Sequence, residues 1–150
     1  MATVSDSEDR QAIDALVRAF FAVFDNRGSQ RPRLGALHEL CLPECVITRA
    51  DSEGIVTCGL DEFIAPRAAL LNGGGLAEFF EEEVQGRTDL FGGVAQRLSL
   101  YRKSGVLRGE AYAARGMKCL QFVKTEAGWR ISAFAWDDER PGLEIPAQYG

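Results

Sequence analysis

Ile13, Leu16, Val17, Phe20, Phe21 and Phe24 recur at spacings of three and four, while Asp14, Arg18 and Asp25 fall off that stripe. The spacing predicts a helix with one broad apolar face. Ser5 and Glu8 ahead of it have the spacing of a capping box, and Asn26-Arg27-Gly28-Ser29 ends it, because glycine adopts the left-handed closing conformation at little cost. Pro32 opens a shorter helical stretch with Leu34, Leu37 and Leu40 inward, and Pro43 stops it. Val46-Ile47-Thr48 and Ile55-Val56-Thr57 are β-rich runs on either side of an Asp51-Ser52-Glu53-Gly54 turn. A third helix takes Asp61 as N-cap, carries Phe63, Ile64, Ala68 and Leu71, and ends at Asn72-Gly73-Gly74-Gly75. Pro66 within it removes a helical hydrogen bond and is best tolerated near the first turn.

After Gly75 the period changes to two. Residues 79–89, 94–103, 111–124 and 129–137 read as successive strands, with a loop over 104–109 and a bend or bulge near Gly116. The tail from Asp138 carries Pro141 and Pro146 and reads as irregular. Three helices followed by a strand meander predict an α+β fold, a curved antiparallel sheet forming a cone under N-terminal helices, with residues 1–150 as one domain. In the last strand Trp129, Ile131, Ala133 and Ala135 alternate onto one face, continued by Asp137, and Arg130, Ser132, Phe134 and Trp136 onto the other. Large apolar groups on both faces predict that both are covered, one by helices and a cavity, the other by a second subunit. A homodimer through the open sheet face follows.

Composition narrows the function classes. The chain has 150 residues, 46% hydrophobic, with a net charge of −5 and no basic stripe, so nucleic acid is not an expected partner. No apolar run reaches the ~20 residues needed to span a bilayer, and the acidic, polar start is unlike a secretory signal; the expected location is the cytoplasm. Cys41, Cys45, Cys58 and Cys119 include no Cys-x-x-Cys pair, so free thiols are expected rather than a metal site. His38, the single histidine, reads as a surface or helix-end residue. Gly73-Gly74-Gly75 lacks the Lys-Ser/Thr ending of a phosphate loop, and no nucleophile-elbow, zinc-protease or dinucleotide motif is present, so no cofactor is expected.

The order of elements resembles the nuclear transport factor 2-like superfamily, a cystatin-like α+β cone, over nearly the whole chain. Phe91-Gly92-Gly93-Val94-Ala95 is similar to the Phe-Gly-x-x-Ala hairpin of its SnoaL-like branch, and Gly128-Trp129-Arg130-Ile131 to the Gly-Trp-x-Ile turn that opens the last strand. The stretch from Trp136 to Gly142 resembles a tail found in little-studied bacterial members. The resemblance implies a pocket, often a dimer, and a choice among cyclases, isomerases, dehydratases, epoxide hydrolases and non-catalytic modules, since fold does not select chemistry. Many relatives carry a histidine on the cavity face of the last strand. That position is Ala135 here, which argues against a histidine–aspartate dehydratase.

Several polar side chains are candidates for the cavity. Asp137, at the end of the cavity-facing set, is the expected general base; capping the tail or pairing with Arg140 is its structural alternative. Relatives often carry an inward arginine in the strand that holds Arg115, and Arg115 would orient an anionic or carbonyl group or form a salt bridge with Glu81 or Glu83. Two acids about an arginine would be similar to the epoxide hydrolase arrangement. Tyr101 shares a face with Ser99 and could donate to an oxyanion, as in the isomerase branch, or pack its ring. Glu81, Glu83, Ser99, Gln121 and Trp129 complete the expected ligand-binding set. Two functions follow: a cofactor-independent isomerase, cyclase or hydratase acting on a small apolar or carbonyl-containing molecule, or a binding or dimerisation module of the same fold.

Overall fold

The alternating stretches after Gly75 pair with their chain neighbours to build most of one six-stranded sheet. The computed structural model describes residues 4–149. Its elements are α1 (Val4–Ala22), α2 (Leu37–Leu40), β1 (Cys41–Asp51), β2 (Gly54–Cys58), α3 (Leu60–Asn72), β3 (Leu76–Phe91), β4 (Val94–Leu107), β5 (Glu110–Thr125) and β6 (Gly128–Asp138), with two 3₁₀ turns between α1 and α2. The strand order is β2-β1-β6-β5-β4-β3. The sheet is mixed rather than wholly antiparallel, because β1 lies parallel to β6 while every other neighbour is antiparallel.

The apolar stripe of α1 packs on the inner face of the sheet, where Ile13, Val17, Phe20 and Phe24 share one core with Leu120, Phe122, Ile131 and Phe134. Edge-to-face ring pairs tie three elements together: Phe20 to Phe134 at 5.0 Å, Phe63 to Phe134 at 5.5 Å and Phe63 to Trp136 at 5.8 Å between centroids. Such pairs add to the stabilisation from the area that the rings bury. Asn26 fastens the same junction. Its Nδ2 donates to the carbonyls of Leu71 (3.0 Å) and Leu76 (2.8 Å), and its Oδ1 accepts from the Phe79 amide (2.7 Å). The segment after α1, the end of α3 and the start of β3 are thereby held together.

Several boundaries differ from expectation for local reasons. Ser5 lies inside α1, not at its cap. Gly59 rather than Asp61 occupies the N-cap of α3, and that helix runs through Pro66. Residues 104–109 are not a loop: β4 and β5 meet at a two-residue turn, Arg108-Gly109, with φ of 48° and 87°. Two positive φ values match the twist of the flanking strands.

The largest departure sets the geometry of the site. Along β5 and β6, Gln121 pairs with Ala133 but Phe122 pairs with Ile131, so Ser132 has no partner. An extra residue of this kind is a β-bulge, and it inverts the alternation beyond it. Trp129, Ile131, Phe134, Trp136 and Asp138 therefore share the inner face, and Ala133, Ala135 and Asp137 take the other parity. The bulge lies at Ser132, not near Gly116. At Gly116 a close approach decides the residue, because a Cβ there would overlap the Tyr101 hydroxyl and the Asp137 carbonyl. The glycine leaves a gap in β5 through which the Tyr101 phenol crosses from β4 to β6. A second bulge, at Val84, separates the pairs Glu83–Tyr101 and Gln85–Leu100.

Candidate functional site

The inner sheet face, α3, the end of β1 and Phe24 just beyond α1 line a cavity of about 550 Å³. Its walls are apolar, from Phe24, Phe63, Leu71, Leu76, Phe79 and Trp136, and its floor is charged. β5 brings Lys118 to that floor because Leu120 and Phe122 of the same strand face inward at even spacing. The Lys118 side chain is only 5% exposed, and its Nζ lies 3.0 Å from Glu81 Oε1 on β3. Aromatic rings surround the ammonium: Phe20, Phe21 and Tyr101 at 4.9 Å, Trp136 at 5.6 Å and Phe134 at 5.8 Å. Burial pulls the Lys118 pKa below the ordinary lysine value, and Glu81 opposes the shift without cancelling it.

A second charged group lies beside the first. Asp138 accepts a short hydrogen bond from the Tyr101 hydroxyl and pairs with Lys103 Nζ at 3.1 Å. Burial alone would lower the Lys103 pKa, but Asp138 and Glu81 outweigh it and raise the net value. Burial and the bond to Asp138 push the Tyr101 phenol far above its usual pKa, so it stays protonated and donates. Arg67 of α3 completes the polar set, with its guanidinium 3.8 Å over the Phe63 ring and 5.4 Å from Trp136, and with Nη1 donating to the Phe63 carbonyl at 3.0 Å. Among the described residues no buried side-chain nitrogen or oxygen lacks a hydrogen-bond partner. Among the described residues the second oxygen of Glu81 and the Nε and Nη2 of Arg67 have no hydrogen-bond partner, and both side chains line the cavity.

The sequence-derived candidates separate into three groups. Glu81 is on the floor. Tyr101 stands behind the floor and positions Asp138. Asp137 is at the rim, in a short ion pair with Arg140. The inward carboxylate at the end of β6 is thus Asp138, one residue later than alternation predicts, because of the Ser132 bulge. Glu83 and Ser99 face inward but lie under α1, in a separate network. Ser99 donates a short hydrogen bond to Glu83, and Arg97 Nε donates to Glu83 at 2.8 Å while its Nη1 donates to Asp14 at 2.7 Å.

Three candidates lie outside the cavity. Arg115 is 48% exposed and bonds Glu139 through Nε and Nη2, each at 3.1 Å, because Ala114 and Gly116 take the inward parity on either side of it. Gln121 is on the outer sheet face, since Leu120 and Phe122 beside it are inward. Trp129 is buried in the core, where its indole N–H donates to Asp9 at 3.0 Å. Lys118, Lys103, Asp138 and Arg67 are not among the sequence-derived candidates. Alternation from Leu120 and Phe122 signals Lys118; nothing in the sequence signals the bulge that turns Asp138 inward. Among the described residues no group of three or more His, Cys, Asp or Glu side chains could hold a metal ion, and the four cysteines are free thiols.

A helix-lidded cone over a curved mixed sheet, with a hollow between them, is the nuclear transport factor 2-like, cystatin-like fold. The protein is similar to a nuclear transport factor 2-like superfamily protein from Salmonella enterica serovar Typhimurium, with 14% identity and a TM-score of 0.72 over 96% of this chain and 98% of that one. An NTF2-like protein with a cystatin-like fold from Novosphingobium aromaticivorans gives 17% identity and a TM-score of 0.70 over 99% and 96%. LinA gives 14% identity and a TM-score of 0.71 over 93% and 92%. No family model and no curated protein matches the chain.

Proposed function

We propose that the cone binds a small, mostly apolar carbonyl compound and catalyses cofactor-independent proton transfer at the carbon next to the carbonyl. The observation that carries this reading is the Lys118–Glu81 pair on the cavity floor, 3.0 Å apart and almost fully sequestered from water. A buried ion pair contributes little to stability compared with apolar residues of the same shape, so its place in a cavity favours a chemical role. Glu81, through its open oxygen, takes the proton. The C–H electron pair becomes the enolate double bond, and the carbonyl oxygen gains charge opposite the Lys118 ammonium. Glu81 then returns the proton to the same carbon or, where a β,γ double bond extends the enolate to a dienolate, to the γ carbon, and return to the γ carbon shifts the double bond and gives isomerisation. Lys118 must be protonated to stabilise that oxygen, and burial lowers its pKa. Activity is therefore expected to fall on the alkaline side at a pH below the ordinary lysine value of about 10.5.

The test is proton exchange in heavy water, followed by NMR at the activated methylene of 2-tetralone. The protein is expected to accelerate exchange over buffer, and Glu81→Gln to remove about 10²–10⁴-fold of that acceleration. Unchanged exchange in Glu81→Gln would overturn the assignment of the base.

A second copy of the chain is proposed to cover the outer sheet face. Small side chains there, Cys119, Ala133 and Ala135, lie between Val46 and Leu98 and leave a depression of about 660 Å³. The support is narrower than alternation suggests, because the Ser132 bulge turns both Phe134 and Trp136 inward. Ala135→Arg is expected to convert a dimer into a monomer in sedimentation equilibrium. Wild-type protein that sediments as a monomer would contradict this part of the account. The four free thiols fit a cytoplasmic address.

A further inference from the structure

We propose that the molecule held in the cone is an organic anion whose carboxylate docks on Arg67. This rests on the cone being the binding site, but not on the chemistry assigned to Glu81 and Lys118. Five cationic side chains line the cavity: Arg49, Arg67, Lys103, Lys118 and Arg140. Four are matched with carboxylates that also line it, Arg49 with Asp51 at 3.3 Å, Lys103 with Asp138 at 3.1 Å, Lys118 with Glu81 at 3.0 Å, and Arg140 with Asp137. Arg67 is left over, with no carboxylate of the described residues within ion-pair distance. The excess is local, since the chain as a whole carries a net charge of −5.

The surroundings of Arg67 are those of a receptor rather than of a solvated surface charge. The side chain is half-buried, and its guanidinium plane is fixed by the Phe63 ring at 3.8 Å and the bond from Nη1 to the Phe63 carbonyl. Removal from water lowers its pKa, a shift that the more distant Glu81 opposes without cancelling. What remains free is the Nε–Nη2 edge, which presents two parallel N–H groups. That fork matches the two oxygens of a carboxylate and binds them bidentately. Pro66, Leu70 and Trp136 beside it supply apolar surface for the body of the same molecule. One bound monoanion makes the charges lining the cavity sum to zero.

Matched acids and amides test the idea by calorimetry at neutral pH. Phenylacetate, 3-phenylpropionate and 4-phenylbutyrate are each compared with the corresponding amide, which has nearly the same shape and no charge. Wild-type protein is expected to prefer the best-fitting acid over its amide by between about tenfold and a hundredfold. Arg67→Met, checked for an unchanged melting transition, is expected to erase the preference while leaving amide affinity intact. Arg67→Lys is expected to retain only part of it, because a point charge replaces the fork. Acid and amide binding wild type equally, or a preference that survives Arg67→Met, overturns the inference. Amide binding without preference overturns this inference alone, whereas failure of every acid and amide to bind overturns the cone as a binding site as well.

Discussion

Lys118→Ala is expected to destabilise the fold by about 3–5 kcal/mol, the usual cost of leaving one member of a buried ion pair without its partner. For a chain of this size that is a fall in melting temperature on the order of 10 °C. The cause is Glu81. Its carboxylate bonds Lys118 at 3.0 Å and sits beneath apolar walls, so losing the ammonium leaves a charge in a poorly solvating cavity. The double variant Lys118→Met with Glu81→Leu removes both charges and keeps similar volumes. It is expected to match or exceed wild-type stability in urea unfolding, because apolar residues often replace a buried pair without loss. The same variant should exchange 2-tetralone no faster than buffer does. Loss of function with no loss of stability would separate the chemical from the structural role of the pair. A double variant as unstable as Lys118→Ala would show that the pair serves the fold.

Asn26→Asp is expected to be nearly as costly. The asparagine amide nitrogen donates to two carbonyls, those of Leu71 and Leu76, at 3.0 and 2.8 Å. An aspartate points an ionised oxygen at both, and two acceptors lose their donor. Each such buried, unsatisfied group costs about 1–3 kcal/mol, so the variant should unfold at clearly lower urea concentration at neutral pH. The sign of its pH dependence follows from the same geometry. Protonation supplies a donor that can satisfy one carbonyl, so folding raises the pKa of the new carboxyl above its unfolded value. The folded state then binds more protons, and the deficit against wild type should shrink as the solution is acidified. A constant deficit across the acidic range would count against this account of the junction. The cavity depends on that junction, because Leu71, Leu76 and Phe79 are both the residues Asn26 bonds and part of the cavity wall.

Much of the fold is legible along the chain because its signals are periodic. The α1 stripe, the Gly73–Gly75 break and the strands after it are all patterns over several residues or more, and the elements appear within a few residues of where those patterns put them. The site is less legible because it turns on single insertions. Alternation from Trp129 places Asp137 in the cavity, and one unpaired residue, Ser132, hands that position to Asp138. A signal for Lys118 is present, since Leu120 and Phe122 fix its parity. A lone lysine on a strand, however, ordinarily reads as surface, and only the Glu81 partner across β4 shows otherwise. Arg115 illustrates the reverse error: a position suggested by resemblance fails because its inward neighbours, Ala114 and Gly116, set the pleat. Arg67 has no sequence signal, as its significance lies in what the other four cavity cations already hold.

Whether the hollow floored by Lys118 and Glu81 admits a carbonyl compound is tested most directly by a crystal structure of the protein with 2-tetralone. The account predicts the ketone oxygen within hydrogen-bond distance of Lys118 Nζ, with the activated methylene beside the open oxygen of Glu81. A cavity closed by rearranged aromatic side chains, or a ketone bound anywhere but that floor, would contradict it.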